Sequence, residues 1–436
     1  MTTRQAVPPR DRTTVAAIQR RTVRLLFLTQ VVGGVGVTIG VAVGALLATD
    51  IAGTAVSGVA QSAAVVGAAL LAVPVTRLMT GYGRRPGLVL AYLVGAVGGV
   101  LTVLAATTRS VPLLFLGMLL FGGGSAANLQ ARYAAVDLAE PARRGRQLSL
   151  VVWATTLGAV AAPNFAAVAD RVTVGWGLPA LSGPFAFSAA AFVLAAGVLL
   201  LFLRPDPLLT ARRLADPGTV DPAARPPRGL REAWSVVRER PAARLGIAAV
   251  AVGHLVMVAV MVMTPVRLHE AHHDVDVLPV VGLVLSLHIA GMYALAPVVG
   301  WLTDRLGRRA VVLGGAGLLL AACAVAGTAG HDTFRLTAGL VLLGLGWSAT
   351  MVAGSTLLSE SVPVPVRPTV QGLSDLIMGL AGASAGAVSG FVMQVAGYPV
   401  LTLLAAVAVG PLVALALRPV PPVPYRADSD APDEGE

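Results

Sequence analysis

Long uncharged apolar stretches alternate along the chain with short polar segments that carry arginines. Each stretch is near the ~20 residues that an α-helix needs to cross the hydrocarbon of a membrane. Six of them precede a longer polar segment, at 25–48, 51–76, 87–108, 111–131, 147–169 and 183–203. Six more follow it, at 245–266, 277–303, 310–330, 336–359, 370–395 and 398–417. The pattern predicts an all-α integral membrane protein with twelve transmembrane helices.

The apolar stretches divide the chain into two bundles of six helices. The predicted units are an N-terminal segment at 1–24, a bundle at 25–203, a linker at 204–244, a second bundle at 245–417 and a tail at 418–436. The linker is rich in proline and arginine and lacks apolar periodicity, which is typical of a surface segment. One short amphipathic helix is predicted within it, near 230–240.

Composition and charge support a lipid environment and give an orientation. The chain is 56% hydrophobic and 12% charged, which no soluble protein of this length would tolerate on its surface. All 32 basic residues are arginine, and the loops on one predicted side hold only Arg109, Arg171, Arg267 and Arg335. Because cytoplasmic loops carry the excess of positive charge, both termini are predicted to face the cytoplasm, in the inner membrane of a bacterium. The net charge of +10 therefore indicates topology and not nucleic-acid binding.

The sequence offers no pattern typical of an enzyme. Cys323 is the one cysteine, so neither a disulfide framework nor a cysteine zinc cluster can form. No nucleotide-binding loop, nucleophile constellation or metal-hydrolase spacing occurs, and no cofactor is expected. The first apolar stretch is long enough to span and follows an arginine-rich lead, so no cleavable signal peptide is predicted.

Two short loops on the predicted cytoplasmic side resemble each other. One is Gly-Tyr-Gly-Arg-Arg at 81–85, after helix two, and the other is Gly-Trp-Leu-Thr-Asp-Arg-Leu-Gly-Arg-Arg at 300–309, after helix eight. They are offset by 224 positions, and the same offset relates Gln147 to Gln371, each at the start of a fifth helix. The chain therefore reads as an internal duplication, as in transporters built from parallel repeats.

The second loop closely resembles the signature of the major facilitator superfamily. That resemblance implies the fold of the family, in which two six-helix repeats move against each other. It also implies that the signature residues gate the contact between the halves; these are Asp304, Arg305, Gly307, Arg308 and Arg309. The first loop departs from the signature, because Thr80 and Gly81 stand where Asp-Arg is expected. Arg84 and Arg85 then either belong to a gate or merely anchor the loop on the positive side.

Histidine and methionine cluster in helices seven and eight and the loop between them. The histidines are His254, His269, His272, His273 and His288, and the methionines are Met257, Met261, Met263 and Met292. Met257 and Met261 share one helix face, as do His288 and Met292, and both pairs are predicted near the membrane midplane. Thioether and imidazole ligands favour copper over harder cations. The alternative interpretation is that the methionines fill the core and the loop is solvated.

Met-x-x-x-Met in helix seven beside His-x-x-x-Met in helix eight resembles the CcoA-like branch of the superfamily, whose members import copper. The resemblance implies a metal path through Met257, Met261, His288 and Met292. His254, Met263, His269, His272 and His273 are candidate accessory ligands. Copper would be the substrate and not a resident cofactor.

A second group of polar residues is predicted to line a cavity. Asn128 and Gln130 lie in helix four, Asn164 in helix five and Asp375 in helix eleven. Arg132, near the end of helix four, is expected to extend toward the membrane interface. Asp375 and Glu360 lie near predicted helix ends, which favours caps or dipole partners, with proton binding as the alternative.

Three functions fit these patterns: copper uptake, proton-coupled transport of a small organic molecule such as a drug, vitamin or metabolite, and membrane sensing. A sensor should carry a folded soluble domain, yet the longest hydrophilic stretch is the 204–244 linker. The prediction is a monomeric secondary transporter in the lipid bilayer, with copper as the first substrate and a small organic solute as the alternative. The solute would bind near the midplane and cross by alternating access.

Overall fold

The computed structural model describes residues 9–52, 54–214, 229–271 and 278–418. Throughout these residues the regular secondary structure is helical. Apolar runs adopt helices in lipid because a helix satisfies its backbone hydrogen bonds internally.

The first six long helices form the N-terminal half. Their bounds are α1 Pro9–Ala52, α2 Thr54–Tyr82, α3 Arg84–Thr108, α4 Val111–Ala134, α5 Arg144–Val174 and α6 Gly183–Phe202. α1 begins well before the predicted span, so the helix continues beyond the apolar stretch. A buried core that includes Phe121, Phe185 and Phe192 holds this half together.

Two short helices lie in the predicted linker, α7 Pro207–Leu214 and α8 Leu230–Arg238. The second one confirms the amphipathic helix predicted near 230–240. The C-terminal half follows, with α9 Pro241–Val262, α10 Thr264–Ala271, α11 Leu278–Tyr293, α12 Ala296–Leu306, α13 Arg308–Gly327, α14 Thr333–Ser361 and α15 Arg367–Leu417.

Breaks divide the helices of the C-terminal half in places where the sequence predicts single spans. The predicted eighth span consists of α11 and α12, with Pro297 at the second position of α12. Proline cannot donate to the preceding turn, so the helix restarts there. In α15 the backbone leaves the helical region at Gly397, with φ 78°, and this kink separates spans eleven and twelve.

The described helices agree with the predicted number of spans. Ten helical segments are long and apolar enough to cross a membrane. One of these, Val364–Leu417, contains the kink at Gly397 and therefore supplies two spans. The 31-residue α5 is the twelfth. Each half thus contributes six spans, as the internal duplication predicts.

The two ends of the bundle differ in charge. We call one end the arginine-rich face; it carries the turns at Gly83 and Gly307 and the loops at 135–143 and 362–366. The opposite, arginine-poor face carries the turns at 109–110, 175–182 and 328–332. Helices α2 and α5 of the first half pack against α15 and α12 of the second, so these four helices form the seam between the halves.

Candidate functional site

A cavity of about 360 Å³ lies between the two halves and is lined by both. From the N-terminal half come Gln30, Ser125, Asn128, Arg132 and Thr155, among others. From the C-terminal half come His254, Met257, Met292, Tyr293, Trp347, Met351, Asp375 and Met378, among others. A mainly apolar enclosure with a few convergent polar groups is typical of a small-molecule site.

Two amide side chains form the polar wall of the cavity. The Gln30 Nε2 group donates to the Asn128 backbone oxygen at 3.4 Å and to Thr155 Oγ1 at 3.2 Å. The Tyr92 hydroxyl donates to Asn128 Oδ1 at 2.8 Å. Gly33 makes room for that hydroxyl, because a Cβ at this position would lie 2.5 Å from the Tyr92 oxygen. The amides are therefore held in place by groups on α3, α4 and α5.

Three aromatic rings form the facing wall. The Trp347 Nε1–H group donates to His254 Nδ1 at 3.2 Å. The Tyr293 ring packs edge-on against Trp347, with 5.5 Å between ring centroids. Since His254 Nδ1 accepts a hydrogen bond, a neutral imidazole carries its proton on Nε2.

A buried ion pair joins the halves at the floor of the cavity. Arg132 Nη2 lies 2.6 Å from Asp375 Oδ1, and the two side chains are 2% and 1% exposed. Gln130 Nε2 donates to the other oxygen of Asp375 at 2.7 Å. Arg132 also donates to Ser355 Oγ at 3.2 Å. Charged groups at membrane depth are costly unless paired, so this pair is a functional candidate.

The pair at the cavity floor corrects two expectations from the sequence. Arg132 does not extend toward the interface, because its side chain is buried and bonded across the seam. Asp375 is not a helix cap, because α15 begins at Arg367 and places it two turns inside. The apolar stretch starts later than the helix, and this made Asp375 look terminal.

A second buried ion pair extends the network toward the arginine-rich face. Arg84 is fully buried; its Nε lies 2.8 Å from Asp137 Oδ2, and its Nη2 donates to Gln371 Oε1 at 2.7 Å. Arg84 also donates to Gln130 at 3.4 Å, and Gln371 donates to Ser359 at 3.1 Å. Arg84 is therefore a buried residue that bonds across the seam, and not a surface anchor.

Two signature residues of the second repeat, Asp304 and Arg308, contact the N-terminal half at the start of α5 and just before it. Both oxygens of Asp304 accept backbone N–H groups at the start of α5, from Gly145 and Arg146, each at 2.9 Å. The positive end of the helix dipole favours a carboxylate there. Arg308 bonds Glu360 of its own half at 2.8 Å and the Pro141 backbone oxygen across the seam at 2.5 Å.

The remaining signature residues make contacts inside their own half. Gly307 turns the chain between α12 and α13 with φ 92°, a conformation that side chains rarely adopt. Arg305 stacks on the Trp301 ring, with 5.1 Å from the guanidinium carbon to the ring centroid. Arg309 donates to the backbone oxygens of Ala416 and Arg418, at the end of α15.

Equivalent positions of the two repeats make related contacts. Thr80 stands where Asp304 stands in the second repeat, and its hydroxyl lies 3.1 Å from the Thr369 hydroxyl at the start of α15. Arg84 is equivalent to Arg308, and each pairs with an acidic residue at the end of the fourth helix of its half. The first repeat thus makes its contacts across the seam without the signature aspartate.

The linker supplies a further bridge on the side of the missing aspartate. Asp206 accepts the Arg85 backbone N–H at 2.7 Å, which anchors α7 to the N-terminal half. Arg212 of α7 donates to the Thr80 backbone oxygen at 2.8 Å and to that of Pro365 at 3.3 Å. The linker therefore crosses the seam at the arginine-rich face.

Contacts between the halves are concentrated at one end. Wherever both partners are described, the hydrogen bonds and ion pairs across the seam lie at the cavity floor or nearer the arginine-rich face. Glycines allow the helices to touch there: a Cβ on Gly300 would lie 2.0 Å from Ser149 Oγ, and one on Gly372 would lie 2.2 Å from Thr76 Oγ1.

The four predicted metal ligands do not all reach the cavity. Met257 and Met292 line it, as does the accessory candidate His254. His288 is fully buried, and its Nδ1 lies 2.8 Å from the Leu340 backbone oxygen of α14. Met261 and the accessory Met263 pack against the core of the C-terminal half. Among the described residues, no cluster of three or more His, Cys, Asp or Glu side chains is placed to hold a metal ion.

The predicted polar residues that the structure describes lie at the cavity or just below it. Asn128 and Asp375 line the cavity, whereas Gln130 lies just below it and binds Asp375. His272 and His273 lie outside the described residues, and so do the side chains of His269 and Asn164.

Several site residues were not singled out from the sequence. Gln30 is a polar residue inside an apolar stretch, and this alone could have identified it. Tyr92, Tyr293 and Trp347 carry no such signal, because aromatic residues are common in membrane helices. Asp137 lies in a loop by sequence, and only the structure shows it buried and paired with Arg84.

Comparisons with known proteins agree with this architecture. The family model of the Major Facilitator Superfamily matches residues 25–280 and 277–435. The chain is 38% identical over 408 residues to the uncharacterized MFS-type transporter YdeG of Bacillus subtilis, covering 93% of this chain and 92% of that protein. It is 26% identical to the riboflavin transporter RfnT of Brucella anthropi, covering 93% and 96%.

Among solved structures, the human organic anion transporter MFSD10 (TETRAN) superposes with a TM-score of 0.67 at 18% identity, covering 91% of this chain and 99% of that one. The likeness extends over both six-helix halves. With the family model matching nearly the whole chain and a relative at 38% identity, the protein is a membrane transporter protein of the Major Facilitator Superfamily.

Proposed function

We propose that this protein is a secondary transporter that carries a small organic solute by alternating access. The observation that carries the proposal is the cavity between the halves, lined by amide groups on one side and aromatic rings on the other. Its chemistry suits an organic molecule, because aliphatic, thioether and aromatic side chains form most of the lining and two amides add polar groups. This is the function that the sequence favoured second.

The orientation follows from charge. The arginine-rich face is placed in the cytoplasm, since loops with excess positive charge stay there. The gate at Asp304, Arg84 and Arg132 then closes the cavity toward the cytoplasm, and the solute enters from the outer side. Rocking of the halves breaks these contacts and opens the cavity inward.

Copper is the competing substrate. The name of the relative RfnT describes a riboflavin transporter, whereas no relative reported above is named for copper. Of the four predicted metal ligands, His288 and Met261 do not line the cavity. The methionines that do line the cavity are flexible and polarizable, which suits packing against a flat organic ring.

The test is solute counterflow in proteoliposomes, because counterflow requires neither a known direction nor a known energy source. The panel contains riboflavin, a hexose, an amino acid, a lipophilic cation drug and copper. Trp347→Leu removes one ring from the cavity wall, and Trp234→Leu is its matched control, because Trp234 is half exposed on linker helix α8.

We expect an organic member of the panel to exchange, and Trp347→Leu to slow that exchange about tenfold, in line with the loss of a stacked ring. Trp234→Leu should match wild type. Exchange of copper alone would overturn the proposal. Organic exchange that is equally fast in both tryptophan variants would overturn the assignment of this cavity as the solute site.

A further inference from the structure

An unpartnered hydrogen-bond acceptor marks the polar wall of the cavity. Gln30 is 4% exposed, and its Oε1 is buried without a hydrogen-bond partner in the described structure. Its Nε2 group donates to the Asn128 backbone oxygen, which can only accept, so turning the amide over would lose that bond and set two acceptors against each other. A buried acceptor left unpaired costs about 1–3 kcal/mol, which a donor on a ligand would recover.

A donor lies beside this acceptor. Asn128 Oδ1 is occupied by the Tyr92 hydroxyl, so the Asn128 Nδ2 group is the free end of that side chain. Gln30 and Asn128 are adjacent, because the Gln30 amide bonds the Asn128 backbone at 3.4 Å. The polar wall therefore offers one acceptor and one donor side by side.

Charge at the cavity is internally balanced. Arg132 and Asp375 are the charged side chains of the described lining, and they pair with each other at 2.6 Å. His254 accepts a hydrogen bond from Trp347, as a neutral imidazole does. An ionised solute would enter without a countercharge, at a large desolvation cost. The lining therefore favours an uncharged solute.

We propose that the cavity selects an uncharged, planar heteroaromatic molecule whose edge carries a hydrogen-bond donor beside an acceptor, as an imide or lactam does. The donor of that edge pairs with Gln30 Oε1 and its carbonyl with Asn128 Nδ2. The face of the ring packs against Tyr293 and Trp347 on the other half of the protein. Binding thus spans both halves, which links recognition to their movement. This inference rests on the proposed function and names the substrate class of the same site.

The experiment measures binding to the full-length protein in lipid nanodiscs by the quenching of flavin fluorescence. Riboflavin is the probe, because it is uncharged and carries an imide edge. In 3-methylriboflavin the imide donor is methylated, and flavin mononucleotide adds a charged phosphate. Gln30→Met removes the acceptor at similar length. Its matched control is Gln19→Met, because Gln19 is a buried glutamine on the same helix that does not line the cavity.

We expect wild type and Gln19→Met to bind riboflavin about tenfold more tightly than 3-methylriboflavin, and flavin mononucleotide more weakly still. Gln30→Met should bind riboflavin about tenfold more weakly and no longer distinguish it from the methylated form. Thermal melting of each variant checks that it is folded.

Equal affinity for the two flavins in wild type would overturn the inference, and so would unchanged discrimination in Gln30→Met. Failure of all three flavins to bind, while the counterflow panel identifies another organic solute, would also overturn it but leave the proposed function standing. Exchange of copper alone in that panel would overturn both.

Discussion

At the scale of single residues, four buried charges of this protein form two complementary pairs. Arg132 with Asp375 and Arg84 with Asp137 leave no net charge, and Gln130 links the two pairs by bonding both Asp375 and Arg84. These four groups are tolerated at membrane depth because each charge is paired with an opposite one. The stability of the gate therefore depends on keeping the pairs intact.

Asp375→Asn should weaken the gate more than any surface substitution. It leaves Arg132 buried without its anion, and breaking a buried pair costs about 3–5 kcal/mol. We expect a lower melting temperature and at least tenfold slower counterflow. Asp332→Asn is the control, because Asp332 is an exposed cap of α14 and should retain transport. The double variant Arg132→Gln with Asp375→Asn removes both charges and should melt above Asp375→Asn alone; a further decrease would contradict the pairing.

At the scale of helices, contacts between glycine and hydroxyl residues hold the seam closed. Gly300 of α12 faces Ser149 of α5, and Gly372 of α15 faces Thr76 of α2. Each glycine permits backbone approach that any side chain would prevent. The two contacts occupy corresponding places in the two repeats, although the glycine belongs to the second repeat in both.

Gly300→Leu should open the arginine-rich face. Its side chain would collide with Ser149 and with the Gly145 backbone oxygen 2.6 Å from the new Cβ, so the halves must separate. Thr369→Cys, buried in the seam, reports the opening through its reaction with a water-soluble maleimide in proteoliposomes. We expect at least tenfold faster labelling than in Thr369→Cys alone. Gly314→Leu is the control, because nothing lies within 4 Å of a Cβ there; equal labelling in both would show that Gly300 does not hold the seam.

At the scale of the whole molecule, the orientation proposed in the membrane rests on the charge difference between the two faces. The arginine-rich face includes both the gate and the linker helices, so the moving contacts lie on the side proposed to face the cytoplasm. In the proposed orientation, the described conformation is closed toward the cytoplasm.

Cysteine labelling of whole cells should confirm that orientation. Phe334→Cys on the arginine-poor face and Tyr82→Cys on the arginine-rich face are both suitable, because these side chains are 83% and 70% exposed. An impermeant maleimide should label Phe334→Cys in intact cells and both variants after permeabilisation. The native Cys323 is buried and should contribute no background. Labelling of Tyr82→Cys alone in intact cells would reverse the assignment.

The sequence by itself determined the number of membrane spans, their repeat and the positions of the signature loops. Lipid imposes these features locally, since an apolar stretch of about 20 residues must become a helix wherever it lies in the bundle. Asn128 and Asp375 were predicted in a cavity because polar groups are costly at membrane depth and therefore mark candidate functional sites.

Only the tertiary structure decided which polar side chains meet. Arg132 and Asp375 are 243 positions apart, and no local pattern fixes the rotation and depth at which α4 faces α15. Helix rotation also separates the predicted metal ligands, so that Met257 faces the cavity while His288 faces α14. Spacing along one helix defines a shared face, but the packing of neighbouring helices decides what that face contacts.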